Sequence, residues 1–340
     1  MKKFLAVAVV TLLSLSTMAG CSSQSTSTSS SSSSSSASSS ENNTENKKQD
    51  GYKVAYLTPS MDVPFWRYVA IGIENKAKEL ANAEVQVYDS KDSADTQLKN
   101  AQDAIVKQAD ALIISPIDSA SCPAVLSLAE ENGVPVVICD IGTDSGTYES
   151  FVITDNKKGA KEIGEYVAQV LNEGDKVAQI TLNQARNNGK LRKSGFEEGI
   201  AGKKLEQVDF RQMEKHNRQE GETYAQDLIT AYPDLKCIFV HTDDPSMGAL
   251  SAIQASGRDD IAIAAFDCTP EMIDAIKAGT MLGTSAQQPV LMGEISAEQV
   301  HKVLNGESVE KQIDVDTLLV TKDNIGETED ILYKTAIPKE

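Results

Sequence analysis

Apolar and polar positions divide this chain into three stretches. An apolar run from Phe4 to about Leu15 follows Lys2 and Lys3. It is too short to span a bilayer comfortably, but it has the shape of a signal-peptide core behind a charged start. From Ser22 to Ser40 almost every residue is serine, and the stretch from Glu41 to Asp50 is polar throughout. Such a tract buries no core and predicts a flexible, hydrated tether. From Tyr52 onward the pattern becomes regular. Lys53–Leu57 reads as a buried strand, ending at Thr58-Pro59-Ser60. Helical spacing over Phe65–Leu80 places Ala70, Ile73 and Ala77 on one face. Strands at 85–88, 111–115 and 134–139 alternate with helices at 96–108 and 120–132, the latter stopped by Gly133. Four strands with helices between them in about 90 residues predict a parallel, doubly wound sheet.

The same rhythm restarts after Asp155. Strands are expected at 176–182, 206–210, 237–240, 261–266 and 281–285. Helices are expected at 158–171, 190–201, 219–231, 247–255, 270–277 and 291–304. The fold class is therefore α/β, with two similar doubly wound parallel-sheet lobes of ordinary domain size. Ligands of such sheets sit outside the carboxyl ends of the strands, so two facing halves place the site in the cleft between them.

Composition narrows the function. Hydrophobic residues make up 40% and charged residues 24%, which are globular proportions. Fifty Asp and Glu against 32 Lys and Arg give a net charge of −18, which opposes nucleic-acid binding. It equally opposes a polybasic membrane surface. No further apolar stretch approaches 20 residues, so the mature chain is expected not to cross a membrane.

Met18-Ala19-Gly20-Cys21 resembles the lipobox of bacterial lipoproteins. That resemblance implies removal of residues 1–20 and a lipid on Cys21 as the membrane attachment. With the serine tether at 21–50, the pattern resembles lipoproteins of Gram-positive bacteria, held outside the cell.

Catalytic motifs are absent: no G-x-S-x-G elbow, Walker loop, dinucleotide fingerprint or H-E-x-x-H occurs. The three histidines, His216, His241 and His301, read first as structural. The cysteines form no C-x-x-C pair, so no zinc site or redox motif is indicated. An exported location permits disulfides among Cys122, Cys139, Cys237 and Cys268, but no pairing follows from the sequence. No enzyme and no cofactor are expected.

Residues 53–320 carry a series of motifs in order. Pro64-Phe65-Trp66 opens a helix after the first strand, and Ile114-Ser-Pro-Ile-Asp118 precedes Val134-Pro-Val-Val-Ile-Cys-Asp140. Ile153-Thr-Asp-Asn156 with Gly159, Arg192 before Gly195-Phe196, and Thr242-Asp243-Asp244 before Met247-Gly248-Ala249 follow. Ala265-Phe266-Asp267 with Thr269-Pro270, and Ala286-Gln287-Gln288-Pro289, complete the series. Together these motifs resemble the periplasmic sugar-binding proteins of the ribose-binding type, the substrate-capturing subunits of bacterial ABC importers.

The resemblance implies a small sugar or polyol as ligand, an ABC permease as partner and a monomer. Phe65 and Trp66 match the aromatic residues that stack on a sugar. Asp140, Arg192, Asp267 and Gln287 match the polar groups that bind its hydroxyls. Thr242, His216 and Asp62 are further candidates. Several positions depart from the family: Ile141 stands where an arginine follows the aspartate, Thr242 and Val63 replace asparagines, and His216 replaces an aromatic. Losing such contacts alters selectivity, which points away from ribose toward another monosaccharide, a cyclitol or a furanose-type signal.

The implied plan assigns 51–154 and 287–314 to the N-terminal lobe, and 155–286 and 315–340 to the other, with a three-strand hinge. The same lobes also serve receptors that present a ligand to a membrane sensor, which is the alternative reading. A transcriptional repressor is excluded by the export signal and the missing basic helix-turn-helix.

Overall fold

The computed structural model describes residues 51–338. The apolar start, the lipobox cysteine Cys21 and the serine tether lie outside the described residues. No described helix is long and apolar enough to cross a membrane.

The first sheet collects β1 (Lys53–Thr58), β2 (Glu84–Asp89), β3 (Ala111–Ile114), β4 (Val136–Cys139), β5 (Ser150–Thr154) and β11 (Gln312–Val315). Their order is β11-β5-β4-β3-β1-β2, and every pair is parallel. The second sheet collects β6 (Lys176–Thr181), β7 (Glu206–Gln212), β8 (Leu235–Val240), β9 (Ala262–Phe266), β10 (Gly283–Ala286) and β12 (Leu318–Thr321). Its order, β12-β10-β9-β8-β6-β7, repeats the first strand for strand. Only the last pair differs, because β12 runs antiparallel to β10.

Continuous apolar runs such as Ala111–Ile114 and Val136–Cys139 form central strands because both faces of each sheet are covered. The period of two then sorts the side chains. Val54 and Tyr56 pack with Val69, Ile73 and Met292, whereas Ala55 and Leu57 pack with Ala101, Leu126 and Ile138. In the second sheet Ile238 and Val240 join one layer, and Cys237 and Phe239 the other. All four cysteines of the described region are free, with Cys139 and Cys237 serving as small buried residues of β4 and β8.

The helices reveal how the lobes are joined. Helix α1 (Pro64–Ala81) covers the first sheet, and its closest helical neighbour is α9 (Pro289–Leu304), which follows β10 of the second sheet. Conversely α4 (Asn156–Val170) follows β5 of the first sheet but packs on α5 (Asn187–Ala201) of the second. The α1–α9 contact is backbone-close: a Cβ on Gly72 would lie 2.0 Å from the Val290 carbonyl oxygen, and one on Gly293 would lie 2.2 Å from that of Val69. The remaining helices are α2 (Ala94–Val106), α3 (Cys122–Glu131), α6 (Arg218–Ala231), α7 (Asp243–Ser256), α8 (Pro270–Ala278) and α10 (Ile325–Thr335). The chain passes between the sheets after Thr154, after Ala286 and between Val315 and Leu318. Val315 pairs with Thr154, so the first sheet runs one residue beyond the boundary at 314 expected from the sequence.

Candidate functional site

The carboxyl ends of both sheets border one cleft of about 570 Å³, a volume suited to a small ligand. On the first-lobe side the loop after β1 turns into α1 at Pro64, whose fixed φ suits the first helical position. Phe65 and Trp66 follow, edge to face with ring centroids 4.8 Å apart. Both line the cleft, and both also pack against the apolar layer beneath α1. Stacking surface and core support are thus provided by the same two rings.

Asp140 and Asp267 occupy equivalent places, each directly after its strand, β4 or β9. Both adopt left-handed backbone conformations, with φ of 69° and 73°. Aspartate tolerates this region better than most residues. Each backbone N–H still extends its sheet, to Val152 O at 2.8 Å and Ser285 O at 3.0 Å.

Their electrostatic situations differ. Among the described residues no hydrogen bond reaches the Asp140 carboxylate, and the residue as a whole is only 8% exposed. Burial pushes its pKa up to about 6, opposed by Arg192 and assisted by Asp267. It is an acceptor waiting for donors. Asp267 is already engaged: Thr242 Oγ1 donates to it at 2.7 Å and the Gln287 side-chain amide also donates to it. Arg192 Nη1 stands 3.7 Å from the same carboxylate. Asp243, at the start of α7, is likewise raised to about 6, by burial and then by Asp267.

Arg192 is held from several sides. Its Nε donates to Asn156 Oδ1 at 2.8 Å, its Nη1 donates to the His241 carbonyl at 2.6 Å, and its guanidinium lies 3.9 Å from the Phe266 ring centre. Burial pulls its pKa down, while Asp267 and Asp140 act against that change. A planar donor fork fixed in this way is suited to ring and hydroxyl oxygens.

His216 sits between β7 and α6 with φ of 52°. The Glu220 carboxylate collects the backbone N–H groups of Glu214, Lys215 and His216 at 2.8, 2.8 and 2.9 Å, which folds this segment. The ring lines the cleft, and its Nε2 is buried without a hydrogen-bond partner. Burial lowers its pKa, which favours the neutral imidazole. His241 is different: it is fully buried, its Nδ1 accepts from Leu182 N–H at 3.3 Å and its Nε2 donates to Gln179 Oε1 at 2.9 Å. His301 pairs with the Tyr52 hydroxyl at 3.0 Å, also away from the cleft.

Of the residues singled out from the sequence, Phe65, Trp66, Asp140, Arg192, His216, Thr242, Asp267 and Gln287 line the cleft. Asp62 does not. Its side chain is exposed, its carbonyl accepts from Arg67 Nη1 at 3.0 Å, and its N–H donates to Ser60 Oγ at 3.3 Å, so its loop is tied back toward α1. Sequence reasoning missed Asp92, Arg186, Asn188, Lys215 and Asp243, which line the same cleft. The repeat held the signal. Arg186 and Asn188 lie at the β6–α5 junction, the place that Pro64–Trp66 occupy at the β1–α1 junction.

The family model of the periplasmic binding protein domain matches residues 54–308. The chain is 32% identical over 322 residues to the ribose import binding protein RbsB of Bacillus subtilis, covering 95% of this chain and all of that one. It is 26% identical over 280 residues to the D-apiose import binding protein of Actinobacillus succinogenes, covering 81% of this chain and 90% of the relative. Among solved structures, the Caulobacter myo-inositol binding protein bound to myo-inositol superposes with a TM-score of 0.74 at 26% identity, over 82% of this chain and 96% of that one. Two repeated sheets, a cleft at their carboxyl ends and a family match over most of the described chain agree. The chain belongs to the periplasmic binding protein family, in its ribose-binding type.

Proposed function

We propose that this protein is the extracytoplasmic capture subunit of an ABC importer and binds a monosaccharide or related small polyol in the cleft. The observation that carries this reading is the unpartnered, desolvated Asp140 carboxylate facing a cleft that also presents Trp66 and the fixed Arg192 fork. A sugar supplies what each lacks: vicinal hydroxyls for the carboxylate, ring and hydroxyl oxygens for the guanidinium, and a C–H face for the indole. The His216 ring and Thr242 complete the polar lining on the second lobe. No step of covalent chemistry is assigned to these residues.

The lobes act as 51–154 with 287–315 and 155–286 with 316–338, closing on the ligand about the three crossings and expelling water. The closed form presents one composite surface to a permease, so ligand affinity and recognition share a single equilibrium. Relatives that bind ribose, D-apiose and myo-inositol share this architecture, which supports small polyols as a class. Ile141 and Val63 line the cleft as hydrocarbon, and this supports a ligand other than ribose. Lipidation of Cys21, with 22–50 as tether, would hold a monomer at the outer face of a Gram-positive membrane. A Cys21→Ala variant expressed in such a host is expected in the medium, and one that stays with the membrane would contradict the anchor.

The cargo is tested by a thermal-shift screen of pentoses, hexoses, inositols and furanose signals. At about a hundred times the dissociation constant the true ligand stabilises by roughly 2.7 kcal/mol, seen as an upshift of about 4–5 °C for a folded region of this size. No shift with any of them would refute the sugar reading.

A further inference from the structure

The polar groups of the second-lobe wall do not stand independently. They form a circuit that begins and ends on one residue of the first crossing, Thr154. Its hydroxyl donates to Gln287 Oε1 at 2.6 Å. The Gln287 amide nitrogen in turn donates to Asp267, and Arg192 Nη1 lies 3.7 Å from the other oxygen of that carboxylate. Arg192 Nε donates to Asn156 Oδ1 at 2.8 Å, and Asn156 Nδ2 donates to the Thr154 carbonyl at 2.8 Å. Thr154, Asn156, Arg192 and Gln287 are all buried.

The orientation of the Gln287 amide follows from this circuit. An ionised carboxylate accepts but never donates, so Asp267 requires the NH₂ end of the amide. The carbonyl end must then face Thr154, whose hydroxyl is the donor that satisfies it. Without that hydroxyl Oε1 would be buried and unpaired, at a cost that favours rotation of the amide away from Asp267. The Thr154 carbonyl similarly fixes Asn156, and Asn156 fixes the plane of the Arg192 fork.

We propose that Thr154 is a positioning residue for ligand binding: from the first crossing strand it sets the orientation of the Gln287 amide and, through Asn156, of the Arg192 guanidinium. Thr154 itself does not line the cleft, so its effect reaches the ligand only through these partners. Because Thr154 ends a first-lobe strand whereas Asp267 and Arg192 belong to the second lobe, the circuit also ties the donor geometry to the hinge.

The inference rests on the sugar-binding reading for its affinity readout, and a second readout is independent of it. Thr154→Val keeps the shape and removes the hydroxyl, whereas Thr154→Ser keeps the hydroxyl. Calorimetric titration of the sugar found by the screen is expected to show about tenfold weaker binding for Thr154→Val. Binding by Thr154→Ser should lie within about threefold of the parent. If the valine variant does not fold, Thr154→Ala removes the hydroxyl without adding volume. Equal losses in the serine and valine variants, or none in the valine variant, would overturn the proposal. Should the parent protein bind no sugar at all, the sugar reading falls, and amide spectroscopy decides the inference. Slow hydrogen exchange of the Gln287 NH₂ in the parent, lost in Thr154→Val, supports it; exchange that is the same in both overturns it.

Discussion

Asp140 and Asp267 share a strand-end position and a left-handed backbone, yet their surroundings assign them different work. Asp267 organises Thr242, Gln287 and Arg192, whereas Asp140 is held desolvated with no donor. A carboxyl raised from 3.8 to about 6 destabilises the ligand-free fold when ionised. The sign is that of a raised pKa: this contribution to stability is present below the unfolded value and is lost as pH rises through about 6. Lowering the pH from 7.5 to 5 should therefore ease the strain contributed by Asp140 and Asp243 in the free protein, while weakening the ligand, which needs the charged acceptor. Asp140→Asn should melt higher than the parent at pH 7, by an equivalent of roughly 1–3 kcal/mol, and should bind poorly. Paired melting curves and titrations across this range check both halves of the expectation. A binding affinity that does not change with pH would contradict it.

At this scale the sequence showed the strand-end carboxylates, the helix-opening aromatic pair and the arginine, because each sits at a recognisable junction. It could not show that Asp267 is satisfied by neighbours while Asp140 is not, since Gln287 and Thr242 converge on it from separate strand ends. Nor could it show that Asp62 lies outside the cleft lining, in a loop held by Arg67 five residues further along.

Among the elements, the exchange of α4 and α9 between lobes is the feature that ties fold to site. It places Gln287 and Thr154 side by side, each just before the helix that departs for the other lobe. The α1–α9 contact depends on bare backbone at Gly72 and Gly293. Gly72→Ala puts a methyl 2.0 Å from a carbonyl oxygen and must separate the helices. A loss of about 1–3 kcal/mol in urea unfolding is expected. An unchanged midpoint would mean that the two helices are not packed as described.

Most helices and central strands were legible from their periodicity. The strands β5, β11 and β12 and the helix α10 were not. Two of the strands, β11 and β12, are partly exposed edge strands without a continuous apolar run or clean alternation, and they are separated only by Asp316 and Thr317. These segments owe their structure to strand pairing and lobe contacts that only the assembled fold supplies.

For the molecule as a whole, two equivalent sheets joined by three crossings border a cleft lined from both sides, and the proposed function has them close on the ligand about those crossings. Solution scattering should show a smaller radius of gyration when the ligand is present. Identical curves with saturating ligand would contradict hinge closure. A net charge of −18 favours solubility but says nothing of the cargo, which the cleft decides.

The central claim is that a sugar is held between Trp66 and the polar groups of Asp140 and Arg192. Calorimetric titration of the screened sugars into the parent protein and into Trp66→Ala and Asp140→Ala tests it most directly. The account predicts one ligand per chain for the parent and about a hundredfold weaker binding in each variant. Heat from none of the sugars, or unchanged affinity in both variants, would contradict it.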